Sequence, residues 1–389
     1  MKAPRSFRAA CCAAAVVLLA SLGARAQGQA APEVAARQYL LVDVTAHQVL
    51  AERAADTAVD PAAFTKLMTA YLVFVALRDH QVTLAQSVPI SARAEAERKG
   101  GGALMLVDAG STATIEQLLQ GLVVDSGDDA AVALAEAVGG SSEHFVDMMN
   151  RQAQAWGLRA TTFRNVTGRV EPGQRSTARE LVALGQHLVL DFPGDLHFFA
   201  QRGFDYRGVH QDNANLLLQR DPSVDGLKTA YADSTGYALL ASAQRDFPNG
   251  RRRLLAIVLG ADSVQGRANE AQKLLNWGYG AFDDIRLAEA GKPVLTVPVW
   301  KGTQAQVGIG SREAIYVAVP KGAGEHLQTR IERTDPLVAP LSESQRVGTL
   351  RVTTAAGTEI ANVPLTVLEA VPQAGLFGRA WDALRLWIK

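Results

Sequence analysis

Lysine and hydroxyl side chains recur in three short clusters of this chain: Ala63-Phe64-Thr65-Lys66, Ser126-Gly127-Asp128 and Lys228-Thr229-Ala230. A neutral lysine amine can accept a proton from a nucleophile, and a charged one can hold a carboxylate; a serine hydroxyl can attack a carbonyl or relay a proton. Residues three apart on a helix share a face, so position 63 and Lys66 would look the same way. Thr65 lies about 100° round the same helix from Lys66 and would point elsewhere. Taken singly the clusters mean little. Ala-x-x-Lys arises by chance, Ser-Gly-Asp is commonly a turn, and Lys-Thr-Ala on a strand is commonly an exposed edge. The 7 histidines are scattered, with no pair four apart on a helix, so neither a metal site nor a cofactor is expected.

The elements that must position these clusters can be read from periodicity. Residues 38–56 read as two strands around a turn at Thr45-Ala46-His47. A helix is expected from Pro61, where a missing N–H costs nothing, and its stretch from Leu67 to Leu77 is apolar on nearly every side. Such a helix belongs in the middle of a domain. Two helical stretches flank the second cluster between Ile115 and Gly139. The third cluster lies on a strand that turns at Asp233-Ser234 into a second strand; an apolar strand (254–260) and a helix (268–282) follow. Strands at both ends with helices between them predict an α/β domain with a mainly antiparallel sheet. From about Leu287 short β-rich runs with regular turn signals predict a small all-β sandwich.

Both termini have their own texture. Lys2, Arg5 and Arg8 precede an apolar stretch (9–22) and the small-residue site Ala24-Arg25-Ala26, which predicts a signal peptide over residues 1–26. Cys11 and Cys12 both fall inside it, so the mature protein would carry no cysteine and no disulfide. In residues 375–389, Leu376, Phe377, Ala380, Trp381, Leu384, Trp387 and Ile388 fall on one helical face, with Arg379, Asp382, Arg385 and Lys389 opposite. That pattern predicts an amphipathic helix lying in a membrane interface. Across 389 residues, 39 basic side chains balance 39 acidic ones, which gives no electrostatic footprint for nucleic acid. The expected division is therefore 1–26, 27–285, 286–371 and 372–389.

In order and spacing, the three clusters resemble the serine-x-x-lysine, serine-x-asparagine and lysine-threonine-glycine motifs of penicillin-binding proteins and serine β-lactamases. Flanking phrases such as TKLMTAY, DAAVALAEAV, FRNVTG, STARELVALG and DPSVDGLKT are similar too, and the likeness continues through VPVWKG to the terminal helix. The chain is thus identified, by resemblance along nearly its whole length, as a member of the D-alanyl-D-alanine carboxypeptidase family. This implies a penicillin-binding-protein-like transpeptidase domain, then a small all-β sandwich domain and a C-terminal amphipathic helix. It also implies a periplasmic location on the outer face of the inner membrane, with the pentapeptide stem of peptidoglycan as partner.

The resemblance assigns roles as well. Position 63 would carry the nucleophile, Lys66 would accept its proton, and Ser126 would relay protons. Lys228 and Thr229 would hold the substrate's terminal carboxylate, while the backbone N–H groups of Ala63 and Tyr231 would form the oxyanion hole. The sequence departs from the family at all three motifs. Ala63 has no hydroxyl, Asp128 replaces an asparagine that can donate a hydrogen bond, and Ala230 adds a methyl where glycine is usual. A carboxylate at 128 is expected to stabilise the charged forms of Lys66 and Lys228. The sequence therefore suggests a catalytically impaired member that binds peptidoglycan or acts as a scaffold. The alternative is an active carboxypeptidase with a surrogate nucleophile such as Ser126.

Overall fold

The computed structural model describes residues 30–375 apart from Asn249 and Ala356. The expected signal peptide and all but the first residue of the expected terminal helix lie outside the described residues. Among the described residues no helix is long and apolar enough to cross a membrane.

The first domain is built on a five-stranded antiparallel sheet. Its strands are β1 (Gln38–Asp43), β2 (Gln48–Arg53), β3 (Val224–Ala232), β4 (Gly236–Phe247) and β5 (Gly250–Ala261), in the spatial order β2-β1-β5-β4-β3. Successive strand side chains point to opposite faces, and here both faces are covered. Leu40, Val42, Leu255, Ile257 and Leu259 join one apolar core; Tyr39, Leu41, Leu254, Ala256 and Val258 join another. Burial on both sides is why 254–260 reads as an unbroken apolar run.

Five helices matter for the site: α1 (Thr65–Arg78), α2 (Ile115–Val123), α3 (Asp128–Gly139), α4 (Ala178–Asp191) and α5 (Val264–Ala281). The first four pack on one face of the sheet and α5 on the other. Helix α1 runs through the larger core with every residue from Thr65 to Phe74 buried, as its all-round apolarity requires. It begins later than Pro61, however. Ala62–Phe64 form a 3₁₀ turn, and Ala62 sits at φ 45°, outside the right-handed region. Asp60 accepts the Ala62 N–H at 2.7 Å, a local bond that competes with an α-helical start and holds Ala63 in the tighter turn.

The β-rich domain contains β6 (Phe282–Ala288), β7 (Pro293–Trp300), β8 (Gln306–Gly310), β9 (Ile315–Pro320), β10 (Gln328–Arg333), β11 (Leu337–Val338), β12 (Arg346–Thr353) and β13 (Glu359–Val367). A six-stranded sheet, β10-β12-β13-β8-β7-β11, and the β6-β9 pair close over one core that includes Val299, Ile309, Val317 and Val352. The junction with the first domain is polar and buried. Gln48 donates to the carbonyls of Ala318 and Ile360 and accepts the Ala318 N–H at 2.7 Å. Arg252, 1% exposed, reaches Asp43 at 2.6 Å and Asp284 at 2.9 Å. Removing that cation leaves two carboxylates buried beside each other. Arg252→Ala is therefore expected to cost about 3–5 kcal/mol in urea denaturation, and a loss below 1 kcal/mol would contradict the buried cluster.

Candidate active-site cleft

The three motifs meet where the 3₁₀ turn, the start of α3 and strand β3 converge. Strand β3 is an edge of the sheet, and it packs against the turn that carries Ala63. Ala63 is half-buried there. A loop residue closes over the same turn: a Cβ on Gly168 would lie 1.9 Å from the Ala62 carbonyl oxygen, and Gly168 adopts φ +83°. Glycine meets both demands, close approach and a left-handed backbone.

Lys66, one residue into α1, is buried and held by two acceptors. Its Nζ donates to Asp128 Oδ1 at 2.6 Å and to the Thr167 carbonyl at 2.6 Å. The second oxygen of Asp128 is also taken, by Arg169 Nε at 2.9 Å. Arg169 in turn reaches the Glu97 carboxylate at 2.9 Å and the Glu97 carbonyl at 2.8 Å. Two cations and two carboxylates thus form one compact network. Both oxygens of Asp128 are engaged by cations.

The segment before α3 explains this placement. Ser126 sits at φ 59°, a strained conformation for serine, and turns the chain so that Asp128 opens the helix. Carboxylates suit a helix N-terminus because the exposed N–H groups there carry partial positive charge. Asp129 uses that position to pin the loop above it, accepting the N–H groups of Met105, Leu106 and Val107 at 2.8–3.0 Å. The same loop passes so near Asp128 that a Cβ on Gly102 would lie 2.0 Å from Oδ2.

Lys228 is 4% exposed, and its Nζ donates to the Val123 carbonyl at 3.2 Å. Ala230 shares its face of β3 and is buried in the larger core; Thr229 is buried beside it. Tyr231 ends the cluster with an exposed ring whose hydroxyl donates to Asp233 at 3.0 Å. Thr65 is fully buried. Ser126 remains half-buried at the cleft.

Burial alters the electrostatics expected from sequence. It pushes the Lys66 amine below its ordinary value, with Asp128 pulling the other way. Lys228 is pushed down to about 7 by burial first and by Lys66 and Arg267 next, against Asp125 and Asp128. Asp128 therefore acts with the expected sign, but desolvation outweighs it. Three further groups were not legible in the motifs: Arg169, Glu97 and Asp125. Arg169 lies 41 residues from Asp128, so no local spacing could reveal the pairing. Asp125 adjoins Ser126 and was visible only as a neighbour. Among the described residues no group of His, Cys, Asp and Glu could hold a metal.

The buried pair gives a direct test. Asp128→Ala would leave Lys66 buried with only a carbonyl partner, and is expected to cost about 3–5 kcal/mol by chemical denaturation. Asp128→Asn should cost less, because a neutral acceptor remains. Equal stability of all three proteins would show that Lys66 is not confined as described.

Comparison with known proteins finds matches along most of the chain. Residues 25–263 match the family described as D-alanyl-D-alanine carboxypeptidase, and residues 282–373 match penicillin-binding protein 5, C-terminal domain. The chain is 38% identical over 357 residues to D-alanyl-D-alanine carboxypeptidase DacC of Escherichia coli, covering 90% of this chain and 88% of that protein. Among solved structures, penicillin binding protein 5 of Haemophilus influenzae superposes with a TM-score of 0.82 at 32% identity, covering 89% of this chain and all of that one. Penicillin binding protein 6B of Escherichia coli gives 0.71 at 32% identity, with 87% and 98% coverage.

Proposed function

Given that the chain belongs to the D-alanyl-D-alanine carboxypeptidase family, we propose that it is a non-acylating member, one that binds the stem peptides of peptidoglycan without cleaving them. The observation that carries this reading is Ala63, where the family nucleophile would stand. An alanine methyl cannot form an ester with a peptide carbonyl. Loss of a serine nucleophile costs about a million-fold in turnover in serine hydrolases. The fate of Lys66 supports the same reading. A general base must be neutral to take a proton, and the Asp128 carboxylate bound to Nζ at 2.6 Å pulls Lys66 toward its charged form.

What remains suits recognition. Lys228 and Thr229 line strand β3 where a peptide's terminal carboxylate would be held, and the Lys66–Asp128–Arg169–Glu97 network adds no net charge to repel it. The relatives are named as carboxypeptidases, so the test must separate binding from chemistry. Purified protein is expected to release no D-alanine from a pentapeptide and to take no covalent label from fluorescent penicillin. Ala63→Ser alone should label weakly because Lys66 stays engaged. Adding Asp128→Asn should speed labelling roughly a hundred-fold, the scale of a general base regained. Covalent labelling of the unaltered protein, or D-alanine release that Ser126→Ala abolishes, would overturn the proposal in favour of a surrogate nucleophile.

The same reading places the protein in the periplasm, with residues 1–26 removed and 375–389 lying on the outer face of the inner membrane. The sequence patterns of those two segments support it. Fractionation of cells expressing the full chain, with and without residues 375–389, checks the placement: the full chain should sediment with membranes and the truncated one should not.

A further inference from the structure

One carboxyl at the cleft has no role in the network just described. Asp125 is 7% exposed, and neither of its oxygens has a hydrogen-bond partner. It lies on the short segment between α2 and α3, between Val123, whose carbonyl takes the Lys228 ammonium, and Ser126. An unpartnered carboxylate in such a place carries a full desolvation cost unless it holds a proton or meets a cation. Lys228, itself buried, is a cation within electrostatic reach of it.

We propose that Asp125 is a specificity-determining residue of this cleft: its buried carboxyl competes with a ligand's terminal carboxylate for Lys228, so that the site takes up a peptide carboxylate only with Asp125 and Lys228 both protonated. The inference rests on the stem-binding reading above and names the residue that sets its selectivity. The charges around the pair come from every side. Lys228, Asp129 and His210 act on Asp125, while Lys66, Arg267, Asp125 and Asp128 act on Lys228. Burial pushes the Asp125 carboxyl up to about 7, with Asp129 acting in the same direction and Lys228 and His210 opposing. Lys228 comes down to about 7 from the other side.

The sign follows. With both groups protonated the pair carries net charge +1 and attracts a carboxylate. With Asp125 ionised the pair is neutral or, once Lys228 also loses its proton, of net charge −1, and the carboxylate is no longer attracted. Both groups must be protonated for binding, so affinity for a peptide ending in D-alanyl-D-alanine should fall roughly a hundred-fold from pH 6 to pH 8. Asp125→Asn removes one of the two protons, and the fall should shrink to roughly ten-fold. The amidated peptide should show no such fall. His210→Gln should leave the slope as it is, which separates Asp125 from the exposed imidazole that titrates nearby.

Calorimetric titration of the full-length protein with both peptides between pH 6 and pH 8 measures these slopes, and thermal melting checks that each variant is folded. Carbon-13 NMR of the Asp125 carboxyl in the free protein is an independent readout, expected to titrate near neutrality. Binding with the same slope in Asp125→Asn, or a carboxyl that titrates in the ordinary acidic range, would overturn this inference and leave the stem-binding reading standing. Failure to bind either peptide at any pH would overturn that reading, and this inference with it.

Discussion

The buried carboxylate of Asp128 holds the cleft together. It joins α1 through Lys66, the loop after Thr167 through Arg169 and, by way of Arg169, the segment at Glu97. Each ion removed from water costs several kcal/mol unless its partners are in place. The four side chains therefore assemble together, and the elements that carry them are held in one arrangement. Asp129 extends the same constraint by pinning the loop of Met105 to Val107 onto the start of α3.

The three departures from the family pattern lie in one part of the fold, where the turn of Ala63, the start of α3 and strand β3 converge. Ala63 removes a hydroxyl, and the position is enclosed by a tight turn and by Gly168. Asp128 brings a charge that the cleft must neutralise, and Lys66 and Arg169 do so. Ala230 contributes a methyl to the apolar core beside Lys228.

The second domain is joined to the first by hydrogen bonds and ion pairs rather than by a long linker. Strand β6 follows α5 directly, and Arg252 and Gln48 cross the junction in buried positions. Such contacts demand good geometry, since an unpaired buried charge or amide is costly. They fix how the β-rich domain meets the sheet through Asp43, Gln48 and Arg252.

Much of the fold was legible in the chain. A continuous apolar run announced the strand at 254–260, an all-round apolar stretch announced the central helix, and regular β runs announced the second domain. Those signals are local, because period and hydrophobicity act over a few residues. The motifs were equally local, and so were the missing hydroxyl at Ala63 and the acid at Asp128. The ionic partners of that acid were not local. Arg169 and Glu97 reach it only after separate loops fold onto α3, and nothing in their sequence surroundings marks them. Tertiary structure also decided the balance at Lys66 and Lys228. A carboxylate nearby favours their charged forms, but burial favours the neutral ones, and only the folded chain shows how deeply both amines are enclosed.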